Sequence, residues 1–188
     1  MDLAADGGVL VDSVSDLAGM DVVFTMVSAD ADLEQVTLGE GGLLRQEASP
    51  RVVVDSSTVS AATSAQVRAE AAARGVAFLA APVSGNAKVV KAGMLSIAVS
   101  GPRDAFDAVT PLLSEIGRSV TYVGDSEQAR LVKLAHNIFL GVVTQSLAEI
   151  VVLAGVTLAA AEPRTWAAFC AAIDRPDLAD RLGAPPEE

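Results

Sequence analysis

Short runs of β-branched residues alternate with alanine-rich stretches through the first two thirds of the chain, and this alternation constrains the fold most. The apolar runs predict buried strands at 21–28, 51–56, 76–80, 95–100 and 120–123. Helices are predicted between them over 31–38, from Thr58 or Ser60 to Gly75, and from Gly101-Pro102 to Gly117. Strands alternating with helices at this spacing predict right-handed βαβ units, so we expect an α/β fold with a largely parallel sheet.

The loops that follow the predicted strands are the first candidates for a binding site. Parallel sheets bind ligands beyond the carboxyl ends of their strands. The sequence places such loops at 26–30, 56–58 and 82–88.

A long helix follows Gly124. No proline and only one glycine, Gly141, occur from 127 to 153, and Asp125 or Ser126 precedes this stretch as a candidate N-cap.

Residues 138–161 of this helix are apolar enough to suggest a membrane span. Gln145, Ser146 and Glu149 interrupt the stretch, and Glu149 would lie near the middle of a bilayer at a real free-energy cost. We therefore favour a helix buried between domains or subunits, with chains associating through it as a homo-oligomer and no membrane partner.

Charge and composition exclude several classes of function. The formal net charge of −11 opposes unspecific attraction to nucleic acid or to an anionic membrane. A single cysteine, Cys170, rules out an internal disulfide, and a single histidine, His136, argues against a histidine-based zinc site, so no metal is expected. The acidic N-terminal stretch lacks the features of a secretory signal, and we predict a cytoplasmic protein.

Lys133 and Asn137 are the first pair that points to chemistry. They lie four residues apart on the long helix and therefore share one face. The apolar surroundings disfavour the charged form of Lys133, which suits a group that exchanges a proton. The alternative from spacing alone is a surface lysine whose stem lies along a buried helix.

Two strand ends supply further candidates. Ser84, Gly85 and Asn86 are predicted to form a turn whose hydroxyl, amide and free N–H groups suit a carboxylate, although an ordinary βα turn explains them equally well. Thr58 follows the strand that ends in VVVDSS, where it is placed either to contact a cofactor or to cap the next helix.

Together the segments resemble the β-hydroxyacid dehydrogenase family, the group of 3-hydroxyisobutyrate dehydrogenase. The resemblance covers about residues 1–153 and rests on four segments in the family's order and spacing: VVFTMVSADADLEQV, VVVDSSTVS, APVSGNAKVVKAGMLSIAVSG and GDSEQARLVKLAHN. It implies an oxidoreductase that moves a hydride between NAD or NADP and a small 3-hydroxy acid.

The resemblance also implies roles for particular residues. Lys133 matches the family's general acid/base, and Asn137 matches the asparagine that holds the substrate nearby. The substrate-binding turn, which recognises the carboxylate, matches Ser84 and Gly85, with Asn86 standing where the family usually has a second glycine.

On the cofactor side, Val27, Ser28 and Thr58 match positions that line the dinucleotide. The family usually has proline at the position of Ser28 and often asparagine at that of His136, and these departures predict an acid other than hydroxyisobutyrate.

The glycine-rich turn that seats the cofactor pyrophosphate in this family does not occur in the sequence. No G-x-G-x-x-G is present, and Gly39 to Gly42 (GEGG) follow a predicted helix and lack the spacing. We therefore expect a partial Rossmann-like, dinucleotide-binding domain over 1–124 that lacks its first βαβ unit, a long interdomain helix over 125–155, and a helical tail over 156–188.

The tail resembles the family III CoA-transferases over about thirty residues that include EPRTWAAFCAAIDRPDLA. It contains no residue that matches that family's catalytic groups, and an amphipathic helix with Trp166, Phe169 and Ile173 on one face explains it equally well.

Three hypotheses follow for function. The first is a 3-hydroxyacid dehydrogenase, with Lys133 as general acid/base and with activity and cofactor binding impaired because the glycine-rich turn is missing. The second is a non-catalytic remnant that keeps the substrate turn and the lysine. The third is an assembly module that pairs through its long apolar helix.

Overall fold

The protein is described by a computed structural model that covers residues 4–5, 7–160, 163–172, 174 and 176. Its strands are β1 (Val22–Thr25), β2 (Val52–Asp55), β3 (Ala77–Ala80), β4 (Val83–Ser84), β5 (Leu95–Ser100) and β6 (Gly117–Gly124). Its helices are a 3-10 turn (Val14–Leu17), α1 (Asp30–Leu38), α2 (Ala61–Ala73), α3 (Ala87–Lys91), α4 (Arg103–Ile116), α5 (Gln128–Ala160) and α6 (Pro163–Ala172). The predicted α/β class, with a mostly parallel sheet and then a long helix, is confirmed.

The strands form one six-stranded sheet in which two parallel sets meet. β1, β2 and β3 pair in parallel, and β5 and β6 pair in parallel. β5 runs antiparallel to β3 and to β4, with Ala80 opposite Ser100 and Ser84 opposite Ser96. β3 and β4 therefore pair in turn with the same strand, β5, and β4 lies beyond the carboxyl end of β3. Ligands bind beyond the carboxyl ends of strands in such sheets.

Both faces of the central strands are buried, which is why they read as continuous apolar runs. Val52 and Val54 of β2 pack in a cluster with Ile97 and Phe106, whereas Val53 packs in a second cluster with Phe78 and Leu33. Helices cover both faces, since Phe106 belongs to α4 and Leu33 to α1.

Several predicted boundaries differ from the structure. Ser60, rather than Thr58, caps α2, and its hydroxyl accepts a hydrogen bond from the Thr63 N–H. β6 begins at Gly117, where the sequence predicts strand only from Val120. α5 begins at Gln128 and runs to Ala160, whereas the predicted interdomain helix covers 125–155.

The turn predicted over Ser84, Gly85 and Asn86 is wrong in its details. Ser84 belongs to the two-residue strand β4, and Asn86 is the N-cap of the short helix α3. Neither element was predicted, because two strand residues and five helix residues are too short to show a period.

The chain divides into two compact units, Met1–His136 and Asn137–Glu188, and the division falls inside α5. The first unit contains the entire six-stranded sheet. In the second unit, α6 is a helix as predicted around Trp166, whereas Ile173 lies outside the described residues.

α5 carries an exposed apolar surface. By length and composition alone its segment from Gln128 to Leu153 is sufficient to cross a membrane, a criterion that core helices of soluble proteins also meet. Ile138, Phe139, Leu147 and Val151 are each more than half exposed in this chain. Burial of this surface against another chain remains a prediction.

Candidate functional site

A cavity of about 360 Å³ lies in the first unit, between the outer face of the β5–β6 pair and the first turns of α5. Its walls include Pro82 and aliphatic side chains from both strands. The polar residues that line it are Ser84, Ser96, Ser119, Thr121, Lys133 and His136. Mostly apolar walls with a few polar groups are typical of a small-molecule site.

Three serines form a row across the floor of this cavity. Ser84 of β4 lies opposite Ser96 of β5, and Ser96 lies opposite Ser119 of β6. Residues opposite each other on neighbouring strands project from the same face of a sheet, and the strands are about 4.8 Å apart. The row therefore presents a hydroxyl on each of three adjacent strands.

Gly85 makes the sharp turn that follows the first serine of this row. Its φ is +150°, and an added Cβ would lie 2.7 Å from Val89 Cγ1 and 2.8 Å from Leu95 Cδ2. Only glycine fits there without displacing these side chains.

Asn86 uses one end of its amide for local structure. Its Oδ1 accepts hydrogen bonds from the backbone N–H groups of Lys88, at 3.0 Å, and Val89, at 3.2 Å. This is the capping arrangement of a helix N-terminus. The NH₂ of the Asn86 amide is therefore the end available to a ligand.

Lys133 lies on the second turn of α5 and is half-buried. It forms no ion pair with any residue in the described part of the chain, and it lines the cavity together with Ser84. Ser84 and Lys133, which were predicted from two separate segments of the sequence, thus line one cavity. Asn137 follows one turn later on α5 with an exposed side chain and belongs to the second unit.

The residues predicted to line a dinucleotide lie on two neighbouring loops. Val27 and Ser28 follow β1, and Thr58 follows β2, which pairs in parallel with β1. The loops are joined by the Val27 N–H, which donates to Ser57 Oγ at 2.8 Å. Ser28 and Thr58 are exposed, and these three positions are separate from the residues that line the cavity.

A buried ion pair joins these loops to α5. Asp55, at the carboxyl end of β2, accepts a hydrogen bond from Arg130 Nη2, and the side chains are 0% and 3% exposed. Arg130 Nη1 also donates to the Ser57 carbonyl at 2.6 Å and Nε to Ser64 Oγ at 3.2 Å. The other oxygen of Asp55 accepts from Thr25 Oγ1 at 2.7 Å and from Ser57 Oγ at 2.6 Å.

A second ion pair holds the same helix start from another side. Arg68 Nε donates to Glu127 Oε1 at 2.8 Å, and Arg68 also donates to the Ser126 carbonyl at 2.9 Å. These side chains are 17% and 13% exposed. Arg68 belongs to α2, so this pair anchors α5 without contacting Val27 or Thr58.

Asp30, the first residue of α1, links the loop that carries Val27 and Ser28 to the loop that carries Thr58. Its Oδ1 accepts the Ser60 backbone N–H at 2.8 Å. This hydrogen bond, followed by one from the Ser60 hydroxyl, lowers the pKa of the Asp30 carboxyl below its ordinary value. The carboxylate form therefore stabilises the contact between the two loops.

The Asp55–Arg130 ion pair was not predicted from the sequence, although the sequence contains a signal for each partner. Asp55 is a charged residue at the end of the apolar run RVVVDSS, and Arg130 lies in the apolar stretch that opens α5. A charge in such a position is seldom buried without a partner. Sequence alone does not say which charge pairs with which, because the two residues are 75 positions apart.

The fold and the site define a Rossmann-like α/β domain with a lysine-bearing cavity on the face of its β5–β6 pair. Residues 1–124 match the family model described as the NAD binding domain of 6-phosphogluconate dehydrogenase. The chain belongs to this family and, within it, to the β-hydroxyacid dehydrogenases, as its resemblance predicted.

The relatives agree with this assignment. The chain is 36% identical over 135 residues to 3-hydroxyisobutyrate dehydrogenase of Pseudomonas aeruginosa, which covers 72% of this chain and 45% of that protein. It is 37% identical over 136 residues to 2-(hydroxymethyl)glutarate dehydrogenase of Eubacterium barkeri, again with 72% and 45% covered. The chain therefore spans about half the length of the curated relatives it matches.

Solved structures share the fold. A crystal structure of a putative oxidoreductase from Mycobacterium avium 104 superposes with a TM-score of 0.76 at 27% identity. The match covers 82% of this chain and 55% of that one.

Proposed function

We propose that this chain carries the substrate site of a 3-hydroxyacid dehydrogenase, in which a hydride moves between NAD or NADP and a small 3-hydroxy acid. One observation carries the proposal: Ser84 and Lys133, nominated from separate sequence segments, line the same cavity. A serine hydroxyl and a lysine amine in one mostly apolar cavity suit a hydroxy acid whose carboxylate is bound at one end and whose hydroxyl exchanges a proton at the other.

The carboxylate end is assigned to the turn after β4. The Ser84 hydroxyl, the Gly85 N–H and the Asn86 NH₂ are consecutive donors, and a carboxylate accepts several such hydrogen bonds. The capping bonds to Asn86 Oδ1 support this assignment, because they fix the amide with its donor end free.

Lys133 is assigned to the reacting hydroxyl of the substrate. In the oxidation, its amine accepts the hydroxyl proton, and in the reduction its ammonium returns a proton to the carbonyl oxygen. Asn137, one turn further along α5, is proposed to hold the substrate, in line with the family resemblance.

The nicotinamide cofactor supplies or accepts the hydride when it is bound. Ser28 and Thr58 fit the ribose or nicotinamide side, since each is an exposed hydroxyl residue on a loop at the carboxyl edge of the sheet. No G-x-G-x-x-G occurs in the sequence, so these residues are assigned to the cofactor without a partner for the pyrophosphate.

The proposal is tested by following reduced nicotinamide with the purified chain, both cofactors and a panel of 3-hydroxy acids, beside calorimetric titration of the same acids. Turnover that Lys133→Ala abolishes and Lys91→Ala preserves supports the dehydrogenase. Lys91 is a suitable control because it is exposed and does not line the cavity. Binding that depends on Lys133, without turnover, supports the non-catalytic alternative, and neither binding nor turnover overturns both.

The assembly role of α5 is a second proposal. Many of its apolar side chains, among them Leu140, Leu147 and Val151, are more than half exposed, and contiguous exposed apolar surface is typical of a protein–protein contact. We propose that two copies of this chain associate through it.

A further inference from the structure

The Asp55–Arg130 ion pair is almost completely buried. Its side chains are 0% and 3% exposed. Removing two charges from water costs a large amount of free energy. A well-packed apolar pair in the same place is therefore often as stabilising as a buried ion pair. A buried pair is therefore weak evidence for stability, whereas its hydrogen bonds do fix the positions of the groups that they join.

The geometry around Arg130 fixes its position from three sides. Its guanidinium contacts Asp55 on β2, the Ser57 carbonyl on the following loop and Ser64 on α2. The guanidinium is planar and rigid, so three contacts leave it little freedom. The helical backbone that carries Arg130 is held accordingly.

The same carboxylate holds the loop side of the site. Asp55 Oδ1 accepts the Ser57 hydroxyl, and that hydroxyl in turn accepts the Val27 N–H. Thr58 is the next residue in the chain. One carboxylate thus links the loops that carry Val27 and Thr58 to the side chain that anchors α5.

Lys133 lies three residues after Arg130, within one helical turn. We propose that Asp55 and Arg130 are positioning residues that set where the Lys133 amine lies relative to the loops at Val27 and Thr58. The inference rests on the proposed function for its meaning in catalysis, but the positioning itself is a property of the free protein.

Lysine labelling tests this without substrate or cofactor. The chain contains only three lysines, Lys88, Lys91 and Lys133, so acetylation by acetic anhydride can be followed at each one by peptide mass spectrometry across a range of pH. Lys88 and Lys91 are exposed and serve as references within the same molecule.

Asp55→Asn is expected to change the labelling of Lys133 relative to Lys91 by about threefold or more, because the Lys133 amine moves relative to its surroundings. Asp55→Glu keeps the charge but lengthens the side chain. If the position of the carboxylate matters rather than its charge, Asp55→Glu should show the same altered ratio of Lys133 to Lys91 labelling as Asp55→Asn. Glu127→Gln breaks the other ion pair at the same helix start, and it should leave the ratio unchanged.

Ser57→Ala keeps the test decisive if a change at Asp55 prevents folding. It removes only the hydroxyl that joins Asp55 to Val27, and it should move the Lys133 ratio in the same direction as Asp55→Asn. The proposal is overturned if folded Asp55→Asn and Ser57→Ala leave the ratio unchanged, if Asp55→Glu restores it, or if Glu127→Gln shifts it equally.

These outcomes are distinct from failure of the proposed function. A chain without any dehydrogenase turnover would refute the activity and would leave the labelling result intact. If the chain is active but the labelling of Lys133 is the same in the native chain and in Asp55→Asn, only the positioning role is refuted.

Discussion

Ser84 lies directly opposite Ser96 in the β4–β5 ladder, and both side chains line the cavity that contains Lys133. The pairing exists because β4 continues the line of β3 along β5 in one register. The hydroxyl that the sequence nominated is therefore one member of a row, with Ser96 and Ser119 as the others.

The row predicts that Ser96 contributes to ligand binding. A hydrogen bond from a serine hydroxyl is worth about 0.5–1.5 kcal/mol, so Ser96→Ala should weaken binding of a 3-hydroxy acid by roughly two- to tenfold. Calorimetric titration measures this. Ser114→Ala is the matched control, since Ser114 is an exposed serine on α4 that does not line the cavity. Equal weakening by both changes would contradict the assignment.

Most of the sheet was predictable from sequence, because both faces of strands such as Val52–Asp55 are buried and leave continuous β-branched runs. The roles assigned to Lys133 and Ser84 come from the family resemblance, since spacing alone left a surface lysine and an ordinary turn open, and the structure adds that both residues line one cavity. Asp55 and Arg130 were not predicted as a pair, because a contact between β2 and α5 depends on tertiary packing that no local pattern records.

Gly85 is expected to be the glycine least tolerant of substitution in this region. Gly85→Ala combines a φ of +150° with contacts of 2.7 and 2.8 Å from the new Cβ to Val89 and Leu95, whereas Gly93→Ala has a φ of +65° and no atom within 4 Å. Backbone strain alone costs about 1–2 kcal/mol, so Gly93→Ala should lose that amount and Gly85→Ala clearly more.

Urea unfolding followed by circular dichroism measures both losses. Gly41→Ala is the reference, since its Cβ would meet nothing within 4 Å and its φ lies outside the positive range. It should change the free energy of unfolding by less than about 0.5 kcal/mol. If Gly85→Ala were no more destabilising than Gly93→Ala, the close contacts would not be real constraints.

Asp30 predicts a specific loss of stability in acid. The Ser60 N–H lowers the pKa of Asp30 in the folded chain, so its carboxylate stabilises the fold above the unfolded pKa of about 4. That contribution is lost as the pH falls through the lower folded pKa. Asp30→Asn should therefore be less stable than the native chain at neutral pH, with the difference shrinking below about pH 4.

Asp32→Asn separates this effect from the general benefit of an acid at a helix N-terminus. Asp30 and Asp32 both lie in the first turn of α1, but among the described contacts only Asp30 bonds to Ser60. Thermal unfolding at a series of pH values is the measurement. A pH-dependent difference of the same size in Asp32→Asn would show that the loop contact is not its cause.

We predict that the chain self-associates through α5, because apolar side chains are exposed along this helix. Leu140 and Leu147 are 53% and 58% exposed and lie seven residues, about two turns, apart on one face. Replacing both by glutamate should convert a self-associating chain into a monomer, because each copy would then bury two unpaired charges in the interface. Light scattering at increasing concentration measures the change in mass.

Leu112→Glu on α4 is the control, since Leu112 is 46% exposed and lies outside the helix that is proposed to pair. A native chain that stays monomeric at high concentration, or an equal effect from Leu112→Glu, would remove α5 as the interface.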